Sequence, residues 1–412
     1  MPAGDIVDLR ALLGAVEAVS PTEGVDALAA ELARMTGAAE VSFLIADIAG
    51  GTLVRLARAG ADGAPPRERE AADAVPIDGT PAGSALREQQ VQHVVVEGDG
   101  VWLFAPVTER GEAVGVLELL LPTAPDEPTI SYVASAAHAL AYVVIADRRY
   151  TDLYEWGSRS TRLTLEAEIQ RRLLPLSYTC EARQFTLAGW LVPATSVGGD
   201  TFDYALDREF LHVSVTDAMG HGVAAALLAT LAVGSLRNSR RSGRPLLEHA
   251  REANAAVLAH ASDDQFVTGQ LFRIDLATGL VQVVNAGHVL PLLVHAGGRL
   301  TEVELSADAV FGIRSDTSYQ LQQFALAPGD RLVLLTDGML ERNAADADVR
   351  GILDRVGDLH PREAVQALTR AVVDASRGVL QDDATVLVLD WYGGPEADRE
   401  ATAGATDGRA ST

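Results

Sequence analysis

Residues 209–222, EFLHVSVTDAMGHG, contain the most informative change of pattern in the chain. Over residues 211–216 apolar and polar side chains alternate, which is the period of a half-buried β-strand. Asp217 follows at the end of this strand, and the glycines of MGHG precede an Ala- and Leu-rich run that predicts a helix over residues 222–236. This stretch therefore predicts a strand that ends in a carboxylate, with a helix beginning a few residues later.

Three further segments place aspartates at the end or start of an apolar strand, or beside a glycine turn. They are VGGDTFD with Asp200 and Asp203, LLTDG with Asp337, and LQDDATVLVLD with Asp382 and Asp383. Each aspartate alone has an ordinary explanation as a turn or helix-cap residue. Together they are unfavourable, because buried carboxylates repel each other and lose hydration. A divalent cation offsets both effects, and ligation by oxygen alone favours Mg²⁺ or Mn²⁺ over zinc.

Composition excludes several classes of protein. The chain has 412 residues, 33 basic and 57 acidic, for a net charge of −24, and every basic residue is arginine. Without lysine it cannot be a P-loop NTPase, a protein kinase or a pyridoxal-phosphate enzyme, all of which use a lysine amine. The acidic balance argues against nucleic acid or an anionic membrane as partner.

Cysteine content and hydropathy indicate the compartment. The one cysteine, Cys180, excludes an intramolecular disulfide and a cysteine-rich zinc site. The N-terminus lacks a basic-then-apolar signal pattern, and no apolar run reaches the roughly 18 residues of a membrane span. The sequence therefore predicts a cytoplasmic protein.

The pattern of apolar and polar residues divides the chain into four parts. Residues 1–147 read as a helix, a hairpin, a loop, further strands and a closing helix, an order that resembles a GAF sensory domain; a related sensory fold or a structural α+β module is the alternative. Residues 148–176 predict one amphipathic connecting helix, which could mediate dimerisation or signalling or be a plain linker. Residues 177–392 are strand-rich with central helices. Residues 393–412 are rich in Gly, Ala, Thr and Asp, which predicts a disordered tail.

The series VGGDTFD, VTDAMGHG, NAGHVLPLL, LLTDGMLE and DDATVLVL closely resembles the metal-dependent protein phosphatase (PPM) family. More narrowly it resembles the SpoIIE/RsbU branch, bacterial serine/threonine phosphatases that act on partners of anti-sigma factors. The segment AEIQRRLLP at residues 167–175 resembles the lead into these domains, so the match covers about residues 167–391. The resemblance implies an α+β chain whose C-terminal domain is an α-β-β-α sandwich holding two Mn²⁺ or Mg²⁺ ions.

The resemblance also implies roles for individual residues. Asp217 matches the metal-bridging aspartate, and Asp200 matches the carboxylate of the first motif, so both are candidate catalytic residues. The implied metal ligands are Asp200, Asp217, the carbonyl of Ala218, Asp337, Asp382 and Asp383. Within this set Asp383, like Asp203 outside it, is expected to orient water or other ligands more than to bind the ion directly.

Histidines and arginines near these motifs have competing interpretations. His221 in MGHG is a candidate general acid, although its spacing differs from the family's, and a structural role at the helix start is the alternative. His288 in NAGH is expected to order a turn. Four arginines share one predicted helical face and could dock an acidic partner, or could be favoured there by the helix dipole. They are Arg237, Arg240, Arg241 and Arg244.

These observations predict a Mn²⁺- or Mg²⁺-dependent phosphatase of phosphoserine and phosphothreonine, regulated by its N-terminal domain. The implied substrate is a phosphorylated STAS-type anti-sigma-factor antagonist, with no nucleic acid or membrane partner. A homodimer could form through the connecting helix. The alternatives are a non-catalytic phosphoprotein-binding protein and a ligand sensor whose output is dimerisation.

Overall fold

The chain forms two compact units. In the computed structural model they comprise Met1–Arg162 with Glu400–Gly408, and Leu163–Arg399 with Arg409–Thr412. The structure describes residues 9–48, 50–60, 74–96, 100–158, 163–194, 198–262, 264–340, 348–377, 380–394 and 404–405.

The N-terminal unit is a six-stranded antiparallel sheet with helices on both faces. Its helices are α1 Leu9–Glu17, α2 Gly24–Thr36, α3 Pro81–Glu88, α4 Glu127–Asp147 and α5 Leu153–Gly157. Its strands are β1 Glu40–Ala46, β2 Thr52–Gly60, β3 Ala74–Pro76, β4 Gln92–Val96, β5 Gly100–Glu109 and β6 Glu112–Leu121, in the order β3-β2-β1-β6-β5-β4. Helices α1, α2 and α4 pack on one face and α3 on the other.

Helix α4 is the one described helix that is long and apolar enough to cross a membrane by length and composition alone. Its buried residues, among them Val133, Ala137, Leu140 and Val144, pack in the main core of the N-terminal unit. This is the environment expected of a core helix.

The C-terminal unit is a sandwich of two antiparallel sheets between two layers of helices. Its helices are α6 Leu165–Leu173, α7 Gly222–Arg241, α8 Leu246–Leu258, α9 Val349–Arg355 and α10 Pro361–Ala375, with a 3₁₀ turn at Asp337–Met339. Its strands are β7 Thr179–Glu181, β8 Phe185–Val192, β9 Thr201–Leu206, β10 Phe210–Ala218, β11 Val267–Asp275, β12 Leu280–Ala286, β13 Leu292–Val294, β14 Leu300–Glu302, β15 Gln322–Ala325, β16 Arg331–Leu335 and β17 Ala384–Trp391.

The two sheets meet through their apolar inner faces. Their strand orders are β15-β12-β11-β10-β9 and β14-β13-β16-β17-β8-β7. Helices α7 and α8 cover the first sheet, and α9 and α10 cover the second. This layer order agrees with the α-β-β-α sandwich expected from the sequence.

Two regions differ from their predicted organisation. The single helix predicted over residues 148–176 is replaced by α5 and α6, because Thr164 has an extended backbone and caps a new helix by accepting a hydrogen bond from the Ala167 N–H. In the predicted tail, Gly404 accepts a 2.8 Å hydrogen bond from the Gly111 N–H and Ala405 is buried, so both lie in the N-terminal unit. Residues 395–403 and 406–412 of that tail lie outside the described residues.

A buried ion pair joins β16 to β17. The Arg331 guanidinium donates to both carboxylate oxygens of Asp390, at 2.6 and 2.9 Å, and to the carbonyls of Val356 and Leu359 at 2.8 and 2.6 Å. Both ionic side chains are 1% exposed, so the two charges balance each other inside the protein, and the carbonyls bind the guanidinium further.

Asp390→Asn should destabilise the C-terminal unit by about 3–5 kcal/mol, because it leaves the Arg331 cation buried without its counter-charge. Urea unfolding of the full chain measures the change. Asp316→Asn is the matched control, since Asp316 pairs with Arg314 at the exposed surface and its loss should change little. Equal effects of the two substitutions would contradict this account of the buried pair.

Candidate functional site

At one end of the sandwich the inner faces of both sheets change from apolar to polar. Side chains two positions apart in a strand lie on the same face of the sheet. Four strands therefore carry a core side chain and, two positions closer to this end, a polar one. The pairs are Phe202 and Asp200, Val215 and Asp217, Leu334 and Thr336, and Leu387 and Thr385. The sandwich thus ends in carboxylates on one sheet and hydroxyls on the other.

Asp200 is buried at this end, at 1% exposure. The hydroxyls of Thr336 and Thr385 both donate to its Oδ2, each at 2.7 Å. Burial raises the pKa of Asp200 well above its ordinary value, and the neighbouring carboxylates of Asp217 and Asp383 raise it further. The two hydroxyls oppose this shift, but they are neutral and do not balance the charge.

Asp383 is held by several donors. Its Oδ1 accepts from the N–H groups of Ala194 and Gly198, at 2.8 and 3.1 Å, and its Oδ2 accepts from the Gln170 amide. Burial raises its pKa, and these hydrogen bonds act in the opposite direction. A carboxylate bound in this way holds the chain around it in place, and an orienting role of Asp383 toward water or other ligands stays a prediction.

Two glycines allow the motifs to approach each other closely. A Cβ at Gly199 would lie 2.3 Å from the carbonyl oxygen of Ala218, and a Cβ at Gly338 would lie 2.0 Å from that of Asp383. Real side chains do not tolerate such distances, so the glycines of VGGD and TDG are required by packing. The Ala218 carbonyl, the predicted backbone ligand, consequently lies beside the segment that contains Asp200.

The other predicted ligands surround this centre at different depths. Asp217 is half-buried at the end of β10, Asp337 is exposed at the first position of the 3₁₀ turn, and the half-buried Asp382 accepts a 2.8 Å hydrogen bond from the Asp383 N–H. Throughout the described ranges, no three or more His, Cys, Asp or Glu side chains converge closely enough to hold an ion as they stand. Ligation by Asp217, Asp337 and Asp382 therefore stays a prediction.

The donor chemistry nevertheless fits a hard divalent cation. Asp200 is buried beside two further carboxylates, and the side chains that bind its Oδ2 are neutral. Nearby carboxylate and carbonyl oxygens are the ligands that Mg²⁺ and Mn²⁺ prefer. A cation at this end would offset the repulsion that raises the pKa of Asp200.

Asp203 belongs to a different part of the domain. Its carboxylate accepts from Arg237 and Arg240 of α7, at 2.8 and 2.9 Å, and Arg237 also donates to the Leu173 carbonyl at the end of α6. The expectation that Asp203 orients water or ligands is therefore wrong: it fastens α7 to β9. The docking interpretation also fails for Arg237 and Arg240, because both guanidiniums are turned inward onto Asp203.

The two histidines occupy different environments. His221 is exposed at the N-cap of α7, where its side chain makes no capping hydrogen bond. His288 is buried, its ring Nδ1 lies 2.7 Å from the Thr268 hydroxyl, and its backbone N–H donates to Asn285 Oδ1 at 2.9 Å. Burial lowers the pKa of His288 to about 4, so the ring is neutral. These contacts agree with its expected role in ordering a turn.

Sequence reasoning missed Gln170, Thr336 and Thr385 as residues of this site. The alternation of β16 and β17 could have identified the threonines, because both continue the inward-facing series of leucines. Gln170 gave no such signal. It is buried on α6, and its amide donates to the Asp200 carbonyl at 2.9 Å as well as to Asp383.

Asp200→Asn should stabilise the metal-free protein at about pH 8. Since the folded-state pKa of Asp200 is raised above its unfolded value, the folded protein binds an extra proton between those two pKa values, and stability falls as pH rises through that interval. The neutral amide avoids this loss, so the gain should shrink as pH falls through the ordinary aspartate pKa of 3.8 and disappear below about pH 3, where the unfolded chain is also protonated. Thermal unfolding in EDTA measures it, with Asp316→Asn as control. A variant less stable than the parent at about pH 8 would contradict the raised pKa.

Comparison with known proteins agrees with this geometry. Residues 207–392 match the family Stage II sporulation protein E (SpoIIE). The phosphoserine phosphatase RsbU of Bacillus subtilis (strain 168) is 23% identical over 235 residues, 56% of this chain and 70% of RsbU. The phosphoserine phosphatase RsbP of the same organism is 22% identical over 187 residues, 44% of this chain and 46% of RsbP.

Among solved structures, the RsbU and RsbW domains of Rv1364c from Mycobacterium tuberculosis are 24% identical to this chain, with a TM-score of 0.45. The alignment covers 54% of this chain and 62% of that one, so the chain spans less than two thirds of the Rv1364c structure and less than half of RsbP. The conclusion rests on the family match and on the curated relatives. Residues 207–392 match the SpoIIE family, and the similarity to RsbU and RsbP, both named phosphoserine phosphatases, supports a protein serine/threonine phosphatase domain in this part of the chain.

Proposed function

We propose that this chain is a Mn²⁺- or Mg²⁺-dependent phosphatase that removes phosphate from phosphoserine or phosphothreonine of a partner protein. The observation that carries the proposal is the buried carboxylate Asp200, grouped with Asp217 and Asp383 at the polar end of the sandwich. Asp217 and Asp383 lie within residues 207–392, which match the SpoIIE family, and Asp200 lies shortly before them. Two bound divalent ions would supply an activated water and neutralise the oxygens of the phosphate.

The chain's own residues have separate tasks in this proposal. Asp200, Asp217 and the Ala218 carbonyl would hold the ions from one sheet, and Asp337 and Asp382 from the other. Asp383 keeps the segment around Gly198 in place. His221, exposed four residues beyond Asp217, is the candidate for protonating the leaving oxygen of the serine. No covalent phosphoenzyme is required.

The proposed substrate is a phosphorylated STAS-type anti-sigma-factor antagonist. Support comes from the curated relatives, since RsbU and RsbP are named phosphoserine phosphatases. Removing phosphate would let the antagonist bind its anti-sigma factor and release a sigma factor. A cytoplasmic location belongs to this proposal, because sigma factors act there.

Regulation by a GAF-like N-terminal domain is the second part of the proposal. Support comes from α6, the element through which the chain enters the phosphatase unit. Gln170 of α6 donates to the Asp200 carbonyl and to Asp383, and the last carbonyl of α6, that of Leu173, accepts from Arg237 of α7 at 2.5 Å. A displacement of α6 would therefore disturb Asp200, Asp383 and α7 together. Dimerisation through residues 148–176 stays a prediction.

The full chain should release phosphate from a phosphoserine STAS protein in Mn²⁺ and not in EDTA, and Asp217→Asn should abolish the release. A neutral amide at this position removes a ligand charge at the centre of the site. Phosphate release followed over time is the measurement, with a generic phosphate ester as second substrate. Asp316→Asn, at the exposed surface, should retain the parent rate.

Three results would count against parts of this proposal. Full activity of Asp217→Asn would remove the metal assignment. Tight binding of the phosphoprotein without turnover in any divalent metal would favour the non-catalytic binding protein instead. Hydrolysis of the generic ester but not of the phospho-STAS protein would retain the phosphatase and overturn the substrate.

Coupling through α6 predicts a specific non-additivity. Deleting residues 1–162 should change the rate of phosphate release, and Gln170→Ala should lower it by about 10- to 100-fold, because Asp383 and the Asp200 carbonyl lose a shared donor. In the Gln170→Ala background the deletion should have little further effect. Gln366→Ala on α10 is the control and should leave the effect of the deletion unchanged. Fully additive effects of deletion and Gln170→Ala would contradict coupling through this side chain.

A further inference from the structure

We propose that Thr336 and Thr385 are positioning residues that fix the carboxylate of Asp200 for metal binding. The inference rests on the proposed function and deepens it. Both hydroxyls donate to the same oxygen, Oδ2, each at 2.7 Å. No hydrogen bond to Oδ1 occurs among the described residues. The carboxylate is therefore held by one oxygen, which leaves the other as its metal-facing atom.

The hydrogen-bond directions follow from the other contacts of the pair. The Thr336 hydroxyl accepts the Thr385 N–H at 3.0 Å, and the Thr336 N–H donates to the Thr385 carbonyl at 3.1 Å. A hydroxyl has one hydrogen to donate. Since Thr336 Oγ1 already accepts that N–H, its hydrogen is directed to Asp200. The two threonines and the carboxylate thus form one closed set of hydrogen bonds.

The position of the threonines in the sandwich supports a dedicated role. Both are fully buried, and both continue inward-facing series that are otherwise leucine: Leu332 and Leu334 in β16, and Leu387 and Leu389 in β17. A hydroxyl at such a position costs free energy unless it is hydrogen-bonded. Asp200 supplies that bond from the opposite sheet, so these polar residues are accounted for by the carboxylate that they hold.

Holding Oδ2 should matter to an ion more than to the fold. A carboxylate that can rotate about its Cβ–Cγ bond presents its oxygens in several orientations, and only some of these suit an ion. Loss of the hydrogen bond that fixes the orientation should therefore weaken metal binding. Removing one hydroxyl should raise the dissociation constant for Mn²⁺ by about 10- to 100-fold, as is typical when the partner of a metal ligand is lost. Serine keeps the hydroxyl and should keep the affinity.

The test compares Thr336→Val, Thr385→Val, Thr336→Ser and Thr385→Ser in the full chain. Binding of Mn²⁺ to EDTA-treated protein is measured by electron paramagnetic resonance, which needs no turnover, and kcat is measured at saturating Mn²⁺. Thr369→Val is the matched control, because Thr369 is also buried but donates to the Val365 carbonyl within α10 at 2.9 Å.

Weakened Mn²⁺ binding in both Val variants, with near-parental binding in both Ser variants and in Thr369→Val, supports the positioning role. Parental affinity in a folded Val variant overturns it. If the Val variants fail to fold, the Ser variants decide. A Ser variant that binds Mn²⁺ about 10- to 100-fold more weakly than the parent would show that the methyl group matters and not the hydroxyl, which overturns the proposal. If the parent binds Mn²⁺ but hydrolyses no phosphate ester, the proposed function fails while the threonine comparison still stands.

Discussion

Repulsion between neighbouring carboxylates is the constraint on which the polar end of the C-terminal unit depends, and two of them, Asp200 and Asp383, are buried. Two sheets with apolar inner faces exclude water along their length, and at one end the same faces carry Asp200 and Asp217. Without compensation this arrangement is unfavourable, as the raised pKa of Asp200 records. The divalent cation proposed for this end would offset that cost, at a position set by the ordinary alternation of a β-sandwich.

Much of the surrounding structure maintains that unfavourable group in one geometry. Glycines bring the strand ends within contact distance, as at Gly199 and Gly338. Threonines from the second sheet bind one oxygen of Asp200, and Gln170 connects the entering helix to the same segment. Remote from this end, the buried pair of Arg331 and Asp390 joins β16 to β17. Favourable contacts away from the site thus offset the unfavourable burial of carboxylates at the site.

The family resemblance implied the sandwich, and the alternation of β10 with the glycines beside VGGD predicted that Asp200 and Asp217 lie at strand ends, because both are local signals. The sequence did not predict partners that come from distant segments. Asp203 had the same context as Asp200, yet it pairs with Arg237 and Arg240. Asp203 follows Phe202 directly, so its side chain lies on the opposite face of the sheet from those of Phe202 and Asp200. The break between α5 and α6 was missed because the helical spacing from Leu163 to Leu173 was extended back over residues 157–162, which contain no large apolar side chain, although Thr164 is a capping residue. Gln170 was missed because nothing local distinguishes an amide that reaches a carboxylate 213 residues away.

The central claim is that the polar end of the sandwich is a divalent-metal site organised by Asp200. Crystals of the full chain grown with Mn²⁺, measured at the manganese absorption edge, test it most directly. The account predicts anomalous density between Asp200 and Asp217, bounded by the Ala218 carbonyl and by Asp337. Manganese bound only elsewhere on the surface, with this end of the sandwich lacking anomalous density at saturating Mn²⁺, would contradict it.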